Sequence, residues 1–158
     1  MTNSVKNHST VLLGTLQIEV APSPHDLAFI EEQINQYNIA LTGFDDYQPL
    51  AIFLRRDDRT ILAGITGFTW GGSCRISVLW VGATVRGQGI GTALLQAAEA
   101  EAIQRGCKVI VLESHAFQAP DFYQKHGYTV AGFRPDYPVG YGDYFLYKHL
   151  PCQGEGPS

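Results

Sequence analysis

Arg86-Gly87-Gln88-Gly89-Ile90-Gly91-Thr92 sets three glycines at alternate positions behind an arginine and directly ahead of an alanine-rich stretch. With the apolar Leu79-Trp80-Val81 before it, the segment reads as a strand, a glycine turn and the start of a helix. The first N–H groups of a helix have no intrahelical acceptor, and the macrodipole adds about half a positive charge there. Such a terminus takes anions, phosphate above all. Glycines leave no Cβ to hold a ligand off the backbone, and Arg86 adds a permanent cation with forked donors. The chemistry implied is a grip on a pyrophosphate. Two familiar phosphate loops fail on spacing. Thr92 follows Gly91 without the lysine that a nucleoside triphosphate loop needs, so triphosphate hydrolysis is disfavoured. A dinucleotide fingerprint would require glycine at 92 or 94, where Thr92 and Leu94 stand.

The elements that must hold this turn follow from patterning. Residues 12–20 have strand character up to Pro22. Ser23-Pro24-His25-Asp26 then supplies a cap, a proline at the first helical position and an acid in the first turn, which predicts a helix over 24–37. Leu27, Ile30 and Ile34 share one face of it. Residues 38–49 read as irregular, ending at Pro49. Asp57-Asp58-Arg59 between two apolar runs signals a hairpin, and Gly71-Gly72-Ser73 turns the chain into a third strand, 74–81. A helix over about 89–105 stops at Gly106, with Ile90, Leu94, Ala97, Ala98 and Ile103 toward a sheet. The β-branched run 108–113 predicts a strand parallel to 74–81, with the ligand at the strands' carboxyl ends. A short helix over 120–126 and an antiparallel pair, 128–134 with 144–150, close the domain. The fold expected is α+β: one domain over 11–150, a mixed central sheet of about seven strands flanked by about four helices, with flexible termini at 1–10 and 151–158.

Composition narrows the function. Hydrophobic residues at 45% beside 16% charged describe a globular chain without a run long enough to span a membrane. Val11-Leu12-Leu13 is too short for the core of a signal peptide, so the cytoplasm is the expected compartment. A net charge of −4 leaves no basic footprint for nucleic acid. Cys74, Cys107 and Cys152 lack metal-ligand spacing and are odd in number, so no metal site and no disulfide framework is expected.

Arg86-Gly87-Gln88-Gly89-Ile90-Gly91 fits Arg-x-x-Gly-x-Gly, and Ala119-Pro120-Asp121-Phe122-Tyr123-Gln124-Lys125-His126-Gly127-Tyr128 follows about thirty residues later. The two together resemble the paired motifs of the GNAT family of acyl-CoA N-acyltransferases, and the closing residues look like a bacterial branch of it. The resemblance implies a GNAT-like domain, acetyl-CoA (coenzyme A) as cofactor and a small-molecule amine as acceptor. It implies that Arg86, Gly87, Gln88, Gly89, Ile90, Gly91 and Thr92 cradle the diphosphate, and that Leu79, Trp80 and Val81 pair with the pantetheine arm. The Val81 N–H becomes the donor to the thioester oxygen. Tyr123 becomes the acid that protonates the departing thiolate; a phenol near its ordinary pKa of about 10 keeps its proton at neutral pH. Family members often carry a glutamate on the strand before the glycine turn, and residues 74–81 contain none. Glu113 is the substitute base, directly or through water, with His115 as the alternative; Gln118 stands where relatives place a cofactor-contacting asparagine. A homodimer is common in the family, and no residue here argues for or against one.

Tyr37, Asn38, Phe44, Asp45, Asp46 and Tyr47 occupy the stretch that walls the acceptor side in such folds. Acids attract an ammonium group and rings receive it by cation–π contact. Cys74 and Cys107 lie at a strand start and behind a helix, away from the implied thioester, so direct transfer in a ternary complex is expected rather than an acyl-cysteine relay. Two other readings stay open: an acetyltransferase acting on protein N-termini or lysines, and a non-catalytic acyl-CoA-binding module.

Overall fold

A computed structural model describes residues 16–151. The chain divides at Thr42 into two units, residues 1–42 and 43–158. The first unit contains helix α1, Pro24–Thr42. Its start is the predicted one: the Ser23 hydroxyl accepts from the Asp26 N–H at 3.1 Å and donates to the Asp26 carboxylate at 2.9 Å. It runs five residues beyond the predicted end because nothing before Gly43 breaks it. The Thr42 hydroxyl donates to the Asn38 carbonyl at 2.7 Å, and Gly43, at φ 73°, leaves the helical region.

The second unit is a six-stranded sheet in the order β1-β2-β3-β4-β6-β5. Its strands are β1 Gln48–Arg55, β2 Ile61–Trp70, β3 Ser73–Val81, β4 Val109–His115, β5 Thr129–Pro135 and β6 Gly142–His149. Helices α2, Ile90–Gln104, and α3, Pro120–Lys125, and one 3-10 turn, Ala83–Val85, complete the described residues. The α+β class and mixed sheet are as expected; six strands and three α-helices are described, against about seven and about four. The expected first strand falls partly outside the described residues, and 16–20 take no strand conformation. Residues 1–10 and 152–158 also lie outside them. Strand β1 begins at Gln48 rather than after Pro49; an edge strand tolerates proline, whose missing N–H has no ladder partner to disappoint.

Gly71 and Gly72, at φ 56° and 74°, make the two-residue turn whose twist matches a β-hairpin, and Trp70 pairs with Ser73. Strands β2 and β3 then slip by one residue between Thr66 and Gly67, leaving Ser77 bulged from β3. Gly67 is required there, because a Cβ would overlap the Arg75 carbonyl. Helix α2 buries Leu94, Leu95, Ala98 and Ala102 against Leu50, Ile65, Cys74, Ile76 and Ile110. Leu95 and Ala102 thus take core places, and Ala97 stays exposed. The helix ends in paired bonds, Gly106 N–H to the Ile103 carbonyl and Cys107 N–H to the Ala102 carbonyl, with Gly106 left-handed at φ 78°.

Among the described residues, one buried side-chain oxygen is left without a hydrogen-bond partner. Tyr128 is 4% exposed and its hydroxyl makes no hydrogen bond, while both oxygens of nearby Glu99 accept from Lys148 at 2.9 Å. An unsatisfied buried hydroxyl costs about 1–3 kcal/mol. Tyr128→Phe is therefore expected to leave thermal stability unchanged or raised; a clear drop in melting temperature would show a partner for that oxygen.

Candidate active site

Strands β3 and β4 run parallel but pair only at Ser73↔Val109, Cys74↔Ile110 and Arg75↔Val111. Beyond Arg75 they part, which opens the sheet at the carboxyl ends of both strands. The backbone of β3 faces this gap with groups that β2 does not pair. The Gly82 N–H bonds to the Leu62 carbonyl, so Val81 and Ala63 form the non-hydrogen-bonded kind of antiparallel pair. The N–H and C=O of Val81, and of Leu79 two residues earlier, consequently point away from β2 and into the gap. The Val81 carbonyl accepts from the Arg86 Nε at 2.9 Å, which fixes the arginine at the entrance of the glycine turn.

That turn has the geometry of an anion cradle. Gly87 and Gly89 are left-handed, at φ 73° and 78°, with no atom within 4 Å of a Cβ built on either. Gly89 caps α2, and the first helical bond runs from the Ala93 N–H to the Gly89 carbonyl. The N–H groups of Ile90, Gly91 and Thr92 precede it and have no helical acceptor. Thr92 ties the turn to α3. The His126 Nδ1 lies 2.8 Å from the Phe122 carbonyl and must donate to it, so in the neutral ring Nε2 accepts from the Thr92 hydroxyl at 3.1 Å.

The gap encloses a cleft of about 370 Å³ between Leu79 and Val81 of β3, Leu112 of β4, Gly91 and Tyr123. Tyr123 is buried on α3, its ring set edge-on to Phe122 at 5.2 Å and to Tyr128 at 5.8 Å. Burial pushes its phenol above the ordinary value, so the proton stays on through neutral pH. A second, polar chamber of about 280 Å³ shares Ser77, Glu113, Ser114 and Gln118 with the cleft. It extends to Arg75, His115, Tyr137 and Asp143.

The model of the acetyltransferase (GNAT) family matches residues 15–128, well over half of the chain. The chain belongs to the GNAT family of acetyltransferases. This acetyltransferase is 40% identical over 91 residues to a blasticidin-S acetyltransferase of Streptomyces morookaense, covering 57% of this chain and 67% of that one. It is 35% identical over 103 residues to an acetyltransferase of Agrobacterium fabrum, covering 65% and 75%. An acetyltransferase of Bacillus cereus, solved by crystallography, superposes with a TM-score of 0.74 at 32% identity, covering 85% of this chain and 98% of that one. Acetyl-CoA is the acetyl donor of the family.

In the acetyltransferase, Leu79, Val81, Gln118 and Tyr123 line the cleft together with Gly91, the one residue of the glycine turn that reaches it, while Trp80 alternates to the other face and is half exposed. Glu113 borders both spaces, with Arg75 at 2.6 Å on one oxygen and Arg134 at 3.3 Å on the other. The acceptor stretch lies elsewhere. Asp46 accepts from the Gly71 N–H at 2.8 Å, the Phe44 carbonyl accepts from Trp70, and Tyr47 packs on Phe68 at 5.3 Å. Phe44, Asp46 and Tyr47 thus brace the β2–β3 turn at the far end of β3 from the cleft, and neither they nor Asp45 line it. Tyr37 and Asn38 belong to α1 in the first unit. Cys74 is fully buried and its thiol is pushed up to about 12, chiefly by that burial, while burial also raises Cys107; neither supplies a thiolate at neutral pH.

Arg75, Arg134, Tyr137 and Asp143 were not expected at the site. Their signal lies in strand register, since Arg134 sits directly opposite Asp143 only once β5 pairs with β6. Asp143, 1% exposed, accepts from Arg134 Nε at 3.0 Å and Nη2 at 2.7 Å. This fork, more than anything else, holds the Asp143 carboxyl below its usual range. A lowered native value means the ionised acid stabilises the fold above the ordinary carboxylate pKa of about 3.9, and this is lost as pH falls through the native value. Asp143→Asn is expected to flatten the acid side of the stability curve. Urea midpoints measured from about pH 7 to about pH 3 check it; parallel curves for the two proteins would contradict it.

Proposed function

We propose that the protein moves an acetyl group from acetyl-CoA to a primary amine of a small molecule, by direct attack within a ternary complex. The observation that carries this is the continuity of the cleft with the polar chamber, through the opening between β3 and β4. The cleft residues fit the donor. Open space stands over Gly87 and Gly89, three helical N–H groups face outward, and the N–H and C=O of Leu79 and the N–H of Val81 face an arm lying in the gap like an added strand. Acetyl-CoA supplies an activated acyl carbon and a thiolate leaving group.

The chain's own residues do the rest. Arg86 and the turn hold the diphosphate, and the Val81 N–H donates to the thioester oxygen as charge develops on it. Tyr123, protonated by virtue of its burial, gives its hydroxyl proton to the sulfur. The chamber admits the amine from the side of Glu113 and His115. A relative named for acetylating blasticidin S supports a small-molecule acceptor, and a chamber of about 280 Å³ suits a single amine head group. Incubation with acetyl-CoA and a panel of small amines, followed by free thiol release and product mass, tests the proposal. Amine-dependent thiol release is expected; CoA binding without turnover on any amine would instead favour a binding module.

A further inference from the structure

Neither the glycine turn nor Tyr123 can take the proton that an ammonium group must lose before it attacks. β3 carries no acid, and Glu113 is committed to two guanidinium groups at 2.6 and 3.3 Å. Protonating it would break the pair with Arg75 or with Arg134. His115 follows two residues later on the same face of β4. Its Nδ1 lies 3.1 Å from the Tyr137 carbonyl, and a carbonyl only accepts, so Nδ1 carries the hydrogen. In the neutral ring the lone pair is therefore on Nε2, which has no hydrogen-bond partner among the described residues. Phe117 stacks on the ring at 5.1 Å and 12°, and Tyr137 flanks it at 5.7 Å, which holds its orientation at the chamber wall.

We infer that His115 is the general base of the reaction, its Nε2 taking the ammonium proton of the acceptor in the polar chamber. The inference rests on the acetyl-transfer reading. The N–H bond of the ammonium breaks, its electron pair stays on nitrogen, and the proton goes to Nε2. That pair bonds to the acetyl carbon; the carbon–sulfur bond breaks with its pair on sulfur, which takes the Tyr123 proton. The acylated nitrogen then carries two hydrogens and a positive charge; one of its N–H bonds breaks, its pair staying on nitrogen to leave the neutral amide, its proton returns to Tyr123, and His115 gives its own to solvent. The charged and titratable groups around the ring are Arg75 on β3, Glu113 on β4, Arg134 on β5, Asp143 on β6 and Tyr137 in the β5–β6 loop. The four charges are paired with one another.

His115→Asn keeps a side-chain N–H for the Tyr137 carbonyl and removes the Nε2 lone pair. With an alkylamine, its turnover is expected to fall about 10²–10⁴-fold, with CoA affinity unchanged. With hydroxylamine, which is already neutral at neutral pH, the variant is expected to keep near wild-type rates. Equal loss on both acceptors would assign His115 a structural role, and an unaltered alkylamine rate would remove it from the mechanism. Ring-nitrogen NMR of the unliganded protein supplies a readout independent of turnover: the Nδ1–H tautomer is expected, and the Nε2–H tautomer would overturn the inference. Wild-type protein without turnover on any amine overturns the acetyl-transfer reading and this role together. Turnover with an unaltered variant overturns this role alone.

Discussion

Gly89→Val is expected to raise the dissociation constant of CoA at least about a hundredfold, equivalent to ~2.7 kcal/mol, in a chain that still folds. Gly89 closes the turn at the N-terminus of α2 in a left-handed conformation, φ 78°, where a side chain costs about 1–2 kcal/mol. No protein atom lies within 4 Å of the added Cβ, so the side chain starts into open space rather than into the fold. What it enters is the open space against the three outward N–H groups, which an anion must approach closely to use. Gly106 provides the control. It is left-handed at the same φ of 78°, its Cβ would also meet nothing within 4 Å, and it sits at the opposite end of the same helix. Gly106→Val imposes a comparable backbone penalty without touching the turn. Isothermal titration of both variants separates the two effects: CoA affinity lost at 89 and kept at 106 marks the turn as the diphosphate site, and equal affinities would refute it.

Tyr123→Phe is expected to lower kcat by about 10²–10⁴-fold while leaving CoA affinity nearly unchanged. The ring remains, so its packing against Phe122 and Tyr128 survives, and only the hydroxyl proton is removed. Because burial raises this phenol, wild-type activity is expected to hold on the alkaline side past the ordinary tyrosine value of about 10 before the acid is lost. Steady-state rates across pH, beside CoA titration of the variant, check both statements. A kcat equal to wild type would remove Tyr123 from proton transfer and leave it a wall of the cleft.

The parts of the site legible in the sequence are those built from contiguous residues. A glycine turn between an apolar strand and a helix is a local device, so residues 86–92 and the strand before them revealed their shape. Tyr123 came with a short helix whose proline start and glycine end are equally local. The chamber, by contrast, is assembled by register. Arg75, Glu113, Arg134 and Asp143 come from four strands, and their alternating charges meet only through the pairings β3–β4, β4–β6 and β6–β5. Single-residue patterns carry no trace of that. The same limit hides the neighbours of residues 44–47, whose acids and rings suit an ammonium group. In the fold, Asp46 instead braces the Gly71 N–H and Tyr47 packs on Phe68. The end of α1 was missed for a propensity reason: asparagine and β-branched residues at 38–39 lower helix content only slightly, so the helix continued to the first glycine.

A crystal structure with CoA bound tests most directly whether the glycine turn aims the cofactor at Tyr123. The diphosphate is expected on the N–H groups of residues 87–92, the pantetheine arm in the gap beside Leu79 and Val81, and the sulfur within hydrogen-bond reach of the Tyr123 hydroxyl. A diphosphate bound away from the turn, or a sulfur on the opposite face of the sheet from Tyr123, would contradict it.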